Sequence, residues 1–445
     1  MKLLNIKILR LFNIFDHDID LNQEERITII TAPNGYGKTI ALKTIYSLFN
    51  KKFTFFNKLI FDSITYTFDN NQSIEIHKKT RENEQKIEFY LKENSKTIES
   101  FEYPSKKIMK NLERSIPSHL LEDFTPPFIR RIRPNEWLNE LTHEILSIED
   151  VLYQFSEYIP EHMTDRLSIE IPVKISEIFK TIEVYFIQEQ RLVLREPISD
   201  HRMRREIVIT DTIEKYSQEL SKLIKQKIGE YAQITQSLDS SFPKRLFQQN
   251  SYAIEADDLK NRLNALQEKR QKISEYGLLK VDDDTSMFSD ENIKETDTKV
   301  LSLYLADNEQ KLSVFDTLVN KIELFTEILN NRRFNFKSIE IDKEKGFIFK
   351  TANNTLLKLT DLSSGEQHEA VLLYELLFKA KENSLVLIDE PEISLHVVWQ
   401  KAFLDDIQEI INLQKIDVVI ATHSPQIIND RWELTVNLEA SVGTK

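Results

Sequence analysis

The spacing of apolar residues changes several times along the chain, and each change predicts an element. Residues 27–31 (ITIIT) form a short continuous apolar run and predict a buried strand; Ile40, Leu42, Ile45 and Leu48 then recur at helical spacing. Residues 63–93 hold the alternating runs SITYTF, SIEIHKK and KIEFYLKE, separated by the turns DNNQ and TRENEQ, which predicts an antiparallel meander. Over 104–180 the pattern predicts mostly helix, with Leu146, Ile148, Val151, Leu152 and Phe155 as core positions. Ile213, Tyr216, Leu220, Ile224, Ile228, Tyr231 and Leu238, then Leu259, Leu263, Leu266 and Ile273, recur mostly three to four apart. They predict two helical arms over 207–275, paired as a short antiparallel coiled coil with arms of about 39 Å. An acidic loop over 281–297, a helix over 298–331 and short strands over 336–359 follow. Leu385–Ile388 and Asp417–Ile420 are continuous apolar runs, as expected of central parallel strands. Residues 182–192 (IEVYFIQEQRL) read as a strand ending in polar residues.

Composition narrows the class. A chain of 445 residues, 40% apolar and 29% charged, is globular, with a prior of about three units. It has no cysteine, which excludes disulfides, zinc ribbons, iron–sulfur clusters and thiol catalysis and fits a reducing cytoplasm. The apolar runs are far too short for a membrane span. At the N-terminus, Lys7 and Arg10 interrupt the apolar stretch, so it reads as a strand. The net charge of −13 means that DNA could be bound only through a local basic patch. Two clusters qualify: Arg130, Arg131 and Arg133; and Arg191, Arg195, His201, Arg202, Arg204 and Arg205. Only seven glycines are present, yet three of them lie in two short motifs.

The first motif is APNGYGKT, Ala32 to Thr39, between the strand at 27–31 and the helix that follows. Strand, tight loop and helix form the context of a P-loop, whose backbone N–H groups and helix N-terminus face an anion. Asn34, Gly35, Tyr36, Gly37, Lys38, Thr39 and Ile40 are the candidate nucleotide-binding residues. Lys38 would reach the β- and γ-phosphates of ATP, and Thr39 would ligate Mg²⁺. Ala32 stands where the usual pattern has glycine. The second motif, SLVLIDEPEISLH, is an apolar strand that delivers Asp389 and Glu390 at its C-terminal end, where open α/β sheets bind ligands. Asp389 suits a Mg²⁺-associated carboxylate and Glu390 a general base for the attacking water. A third strand ends in ATHSP and delivers His423, a candidate γ-phosphate sensor. In LSSGEQ, Ser363, Ser364, Gly365 and Glu366 open a further predicted helix, a second anion-binding end. One γ-phosphate already claimed by Lys38 leaves this end for the nucleotide of another subunit.

Taken together, APNGYGKT, LSSGEQ, LVLIDEPEISLH and ATHSP resemble the Walker A, signature, Walker B with D-loop and switch-histidine motifs of ABC-type ATPases of the SMC, RecF and OLD class. The resemblance implies an α/β fold: a P-loop ATPase head with an antiparallel β-subdomain, a helical insertion and a short antiparallel coiled-coil arm. The expected segments are an N-lobe at 1–103, a helical insertion at 104–180, a Q-loop-like segment at 181–206, the arm at 207–334 and a C-lobe at 335–445. It also implies Gln190 as the Q-loop residue that couples Mg²⁺ to the arm, and ATP sandwiched between two heads. In that homodimer, with a higher homo-oligomer as the open alternative, Ser363 and Gly365 of one subunit would meet the γ-phosphate held by Lys38 of the other. In size and layout the chain resembles the ATPases of antiphage defence systems: AriA of PARIS, and those of Septu and retron systems. OLD-type chains carry a Toprim nuclease after the ATPase, whereas this sequence stops 22 residues past His423. The expectation is therefore a cytoplasmic ATPase that senses a phage trigger and controls a separate Toprim-type nuclease or toxin. The alternative is a RecF-like DNA-repair ATPase with DNA-stimulated hydrolysis.

Overall fold

The computed structural model describes residues 1–81, 84–103, 122, 125–126, 128–133, 136–139, 144–147, 151, 171–189, 191–199, 205–248, 256–279, 295–393 and 395–441. The chain divides into two compact units, one of Met1–Thr210 with Phe378–Lys445, the other of Asp211–Leu377.

The first unit opens with β1 (Leu3–Leu11), β2 (Phe15–Asp20) and β3 (Ile27–Thr31), then α1 (Lys38–Phe49) and α2 (Thr54–Lys58). The meander follows as β4 (Ser63–Phe68), β5 (Gln72–Arg81), β6 (Glu84–Glu93) and β7 (Lys96–Tyr103). β8 (Ile129–Arg133), β9 (Glu136–Asn139) and β10 (Glu144–Ser147) come next, then α3 (Val173–Thr181), β11 (Val184–Ile187), β12 (Val193–Ser199) and β13 (Arg205–Asp211). The second unit holds α4 (Thr212–Gln248), α5 (Ala256–Glu275), α6 (Glu295–Ser313), α7 (Asp316–Glu327), β14 (Lys337–Asp342), β15 (Gly346–Thr351), β16 (Leu356–Leu357) and α8 (Ser364–Tyr374). The chain then returns to the first unit with β17 (Leu385–Asp389), α9 (Val397–Gln414), β18 (Asp417–Thr422), α10 (Pro425–Ile428) and β19 (Thr435–Asn437). None of the described helices is long and apolar enough to cross a membrane.

Two sheets shape the first unit. An antiparallel sheet runs β2-β1-β4-β5-β6-β7, and an all-parallel sheet runs β11-β17-β18-β3-β19. The central strands β3, β17 and β18 are buried along nearly their whole length, which is why they read as unbroken apolar runs. α1 joins both sheets in one core: Ala41, Leu42, Ile45 and Leu48 are buried with Ile6 and Ile8 of β1, Leu387 of β17 and Val419 of β18. The meander contributes Phe89, which stacks on Phe101 at 4.5 Å and meets Phe53 edge-on at 5.0 Å. α1 therefore cannot shift without opening the core.

Three features depart from the expectations above. Residues 104–180 read as mostly helical, but their described part includes a three-stranded antiparallel sheet, β10-β9-β8, around a fully buried Trp137. Strands of four or five residues are too short to show an alternation that competes with a helical spacing. Among the core positions named there, Leu146 and Val151 are buried, while Ile148, Leu152 and Phe155 lie outside the described residues. The arm also differs. α4 spans 37 residues, about 56 Å, and α6 packs against both α4 and α5. Arg245–Asp307, Lys311–Asp239 at 2.7 Å and Arg262–Glu309 at 2.7 Å fix that third helix in place. Apolar spacing reveals a helix's inner face but not its partner. Finally, the segment from 335 onward, expected as one lobe, is shared between the two units.

In the second unit the start of α4 is seated on β15. Ser217 donates to the carbonyl of Phe347 at 2.8 Å, and Ser221 to that of Lys343 at 2.9 Å. The approach needs a glycine, because a Cβ on Gly346, at φ +90°, would lie 1.7 Å from the Ser217 carbonyl oxygen. α8 is tied to the short π-helix Ile328–Arg333 that continues α7 by a buried ion pair, Arg333 Nε to Glu369 Oε1 at 2.7 Å, with both side chains about fully enclosed. Removing one partner leaves an uncompensated charge, which costs about 3–5 kcal/mol, whereas replacing both with apolar residues is nearly neutral. Urea unfolding should therefore show Glu369→Leu strongly destabilised, with most of the loss recovered in the Arg333→Met, Glu369→Leu double variant. Equal losses in both would remove the ion pair from this account.

Candidate active site

In the parallel sheet, β17, β18 and β3 are adjacent and run the same way, with Asp389 level with Ala421 and Thr422 level with Thr31. Their C-terminal ends therefore share one edge. The P-loop leaves β3 there, the acidic turn leaves β17 and the histidine turn leaves β18. This is the edge at which open α/β sheets bind ligands.

The P-loop has the backbone of a phosphate cradle. Gly35 and Gly37 take φ +90° and +88°, a region that side chains disfavour. Gly37 is also the N-cap of α1, and a Cβ there would come within 2.8 Å of the Leu11 side chain. Lys38 is buried at 5% exposure, and its ammonium donates to the Ala32 carbonyl at 2.8 Å, so the chain folds over its own loop. Ala32, in the place of the usual glycine, is itself buried and does not disturb this arrangement.

Beneath the loop lies a residue that sequence reading missed. His17 of β2 is 1% exposed, and its Nε2 lies 2.9 Å from the Tyr36 carbonyl. Burial lowers the His17 pKa, with the bond to Tyr36 opposing, so the ring is neutral. A carbonyl only accepts, so Nε2 carries the proton. Phe15 packs against Tyr36 at 5.1 Å and His17 at 5.8 Å. The inward alternation of Phe15, His17 and Ile19 along β2 was the available signal.

The acidic turn meets the P-loop directly. The Thr39 hydroxyl donates to Asp389 Oδ1 at 3.0 Å. Asp389 is 5% exposed, and burial raises its pKa; the Thr39 bond opposes this and the Glu390 charge adds to it. A hydroxyl and a buried carboxylate side by side, with further acid nearby, form a hard oxygen donor set that fits Mg²⁺. Glu390 sits at φ +42°, a left-handed conformation that costs about 1–3 kcal/mol in a non-glycine residue and recurs at functional positions. Its N–H donates to the Ala421 carbonyl at 2.9 Å, and its Oε1 lies 3.7 Å from His423 Nδ1. Asp389, Glu390 and His423 are thus brought together with Lys38 and Thr39. Glu392, which the sequence reading passed over, lies closer still to the histidine, at 3.2 Å. The second acid of DEPE was its only signal.

The remaining predicted residues lie elsewhere. Ser363, Ser364, Gly365 and Glu366 belong to the second unit. Ser363 is the exposed N-cap of α8, and Glu366 closes a capping box with it. Lys337 holds the Glu366 carboxylate at 2.8 Å. Gln190 lies outside the described residues, as do His201, Arg202 and Arg204. Arg191, expected in an exposed cluster, is 5% exposed and belongs to the interior. A run of basic letters does not reveal that burial.

Asp389 carries an expected trade-off. Its folded pKa is raised, so at neutral pH its ionised form opposes folding, and that cost falls away as the pH drops through the raised value. Without nucleotide at pH 7, Asp389→Asn should therefore melt higher than the wild type, by about 1 °C for each kcal/mol of desolvation relieved in a chain of 445 residues. The gap should narrow as the pH falls, while Mg-ATP hydrolysis is lost. A lower melting temperature at pH 7 would contradict the burial argument.

Comparison with known proteins adds the family. The chain is 31% identical over 128 residues to Protein ea59 of Escherichia phage lambda, a match that spans 28% of this chain and 23% of that protein. The crystal structure of an SmcHead bound to the C-winged helix domain of ScpA aligns with 96% of this chain and 91% of its own, at 10% identity and a TM-score of 0.36. The model of the AAA ATPase domain matches residues 1–428, through every site residue from Asn34 to His423, and the chain belongs to that family.

Proposed function

We infer that the protein binds and hydrolyses ATP at the edge formed by β3, β17 and β18, and that it uses the nucleotide as a switch. The observation that carries this reading is the convergence of Lys38, Thr39, Asp389, Glu390 and His423 from three loops onto one sheet edge. Lys38 would neutralise the β- and γ-phosphates, and the α1 N-terminus would add its dipole. Thr39 and Asp389 would hold Mg²⁺, which when bound offsets phosphate charge. Glu390 would take a proton from the water that attacks the γ-phosphorus, giving ADP and inorganic phosphate. His423 would face the γ-phosphate.

The signature residues Ser363 and Gly365 sit at an exposed, capped helix start on the other unit. This supports a dimer in which each nucleotide is completed by the second subunit. The sensor reading, with a separate nuclease or toxin as effector, rests on the resemblance to antiphage ATPases. A second reading, a RecF-like repair ATPase, is favoured by Arg130, Arg131 and Arg133 on β8, an edge strand of its sheet. Arg133 is paired with Glu136 at 3.1 Å, so part of that charge is already answered.

Glu390→Gln with Mg-ATP should accumulate a dimer in light scattering, and a persistent monomer would end the sandwich reading. Lys38→Ala should lose ATP binding; unchanged affinity would end the P-loop assignment. A switch needs little turnover, so the rate should fall below the enzyme median of about 10 per second. Purified from its native host with Mg-ATP and its neighbouring genes intact, the protein should carry a stoichiometric nuclease or toxin. Recovery with DNA that stimulates hydrolysis would favour the repair reading.

A further inference from the structure

Glu392 lies in the turn after β17, two residues beyond Glu390, and is 7% exposed. One oxygen of its carboxylate, Oε1, faces three nitrogen or hydroxyl groups of the next loop. The Thr422 hydroxyl donates to it at 2.6 Å, the His423 backbone N–H at 3.0 Å, and His423 Nδ1 lies 3.2 Å away. Its Oε2 is buried without a hydrogen-bond partner among the described residues. Glu390 Oε1 is 3.7 Å from the same ring nitrogen, beyond hydrogen-bond range.

These distances divide the work between two acids. The contact of His423 Nδ1 with Glu392 is an ion-pair approach at 3.2 Å, and an acceptor-only carboxylate oxygen that close favours the N–H form of the ring nitrogen electrostatically. Once Nδ1–H is fixed, the lone pair of a neutral ring sits on Nε2. Thr422 and the backbone N–H pin the carboxylate, so Glu392 cannot follow the ring if it rotates. Glu390, more exposed and outside hydrogen-bond range of the ring, keeps its oxygens for water.

The geometry points to Glu392 as a positioning residue that holds His423 in its Nδ1–H tautomer and leaves Nε2 to meet the nucleotide, an assignment that rests on the ATPase reading. Glu392 does not touch the reacting atoms. It acts through the ring, as the outer partners of ligating histidines do. A residue that merely capped the turn after β18 would need only Thr422 and the backbone N–H, and its loss would be felt in stability alone.

The test uses the full chain. Glu392→Gln is isosteric, and its amide oxygen still accepts from Thr422 and the His423 N–H; without the charge it is a weaker acceptor for Nδ1–H, so the turn is kept while the hold on the ring is loosened. The expected result is a kcat lower by about tenfold to a hundredfold with little change in KM. In a His423→Ala background the same substitution should cost nothing further, because both changes remove one unit. Glu392→Asp, which keeps the charge, should restore part of kcat. Full kcat in Glu392→Gln, or losses that add in the double variant, would overturn the assignment.

A second readout does not depend on turnover. In ¹⁵N-histidine NMR of the nucleotide-free protein, the His423 signal is identified by its loss in His423→Asn. It should show the Nδ1–H tautomer in the wild type and a mixture in Glu392→Gln. An Nε2–H wild type overturns the inference even if hydrolysis is intact. If instead the wild type hydrolyses ATP no faster than Lys38→Ala, the ATPase reading fails, and the spectrum still decides the tautomer.

Discussion

Parallel pairing of β17, β18 and β3 is the constraint on which the site depends. Parallel strands need crossovers, so each loop that leaves their C-terminal edge runs into a helix or a turn on the same side. Register does the rest: with Asp389 level with Ala421 and Thr422 level with Thr31, residues from three distant stretches of chain arrive together. A slip of one residue along β17 would turn Asp389 away from Thr39 and break the 3.0 Å bond between them. The apolar strands are thus more than core. They are the ruler that spaces the chemistry.

The edge gathers charge at a cost to folding. Asp389, Glu390 and Glu392 lie within four positions of one another, and two of them are buried. Lys38 is buried too, with its ammonium turned onto loop carbonyls. Desolvation disfavours the Asp389 carboxylate, and the hydrogen bond from Thr39 offsets only part of the penalty. Glu390 adds backbone strain at φ +42°. On the ATPase reading, a Mg²⁺-bound polyphosphate would complement this arrangement, and ligand binding and stability would be coupled by the same electrostatics.

The second unit shows how a helix start is kept ready. Ser363 and Glu366 satisfy the first donors of α8 between themselves, and Lys337 holds the glutamate in place. At the other side of the helix, Glu369 is locked to Arg333. α8 is therefore fixed in direction whether or not its exposed end meets a ligand. Gly346 plays a similar part for α4, since any side chain there would collide with Ser217.

The sequence by itself determined the local chemistry of this protein. Strand, glycine turn and helix around APNGYGKT, the acids after an apolar strand and the Ser-capped helix at LSSGEQ are all legible, because each depends on neighbours within about ten residues. The helical faces of α4 and α5 were legible for the same reason. Tertiary structure decided what depends on distant partners. It placed α6 against both arm helices, built a small sheet around Trp137 where helices were expected, drew Arg191 inside and put His17 beneath the P-loop. It also brought Glu392, rather than Glu390, nearer to the His423 ring, at 3.2 against 3.7 Å. A period of apolar residues records which face is buried, but only folding sets the distances between side chains far apart in the chain, and hydrogen bonds and proton positions are settled by tenths of an ångström.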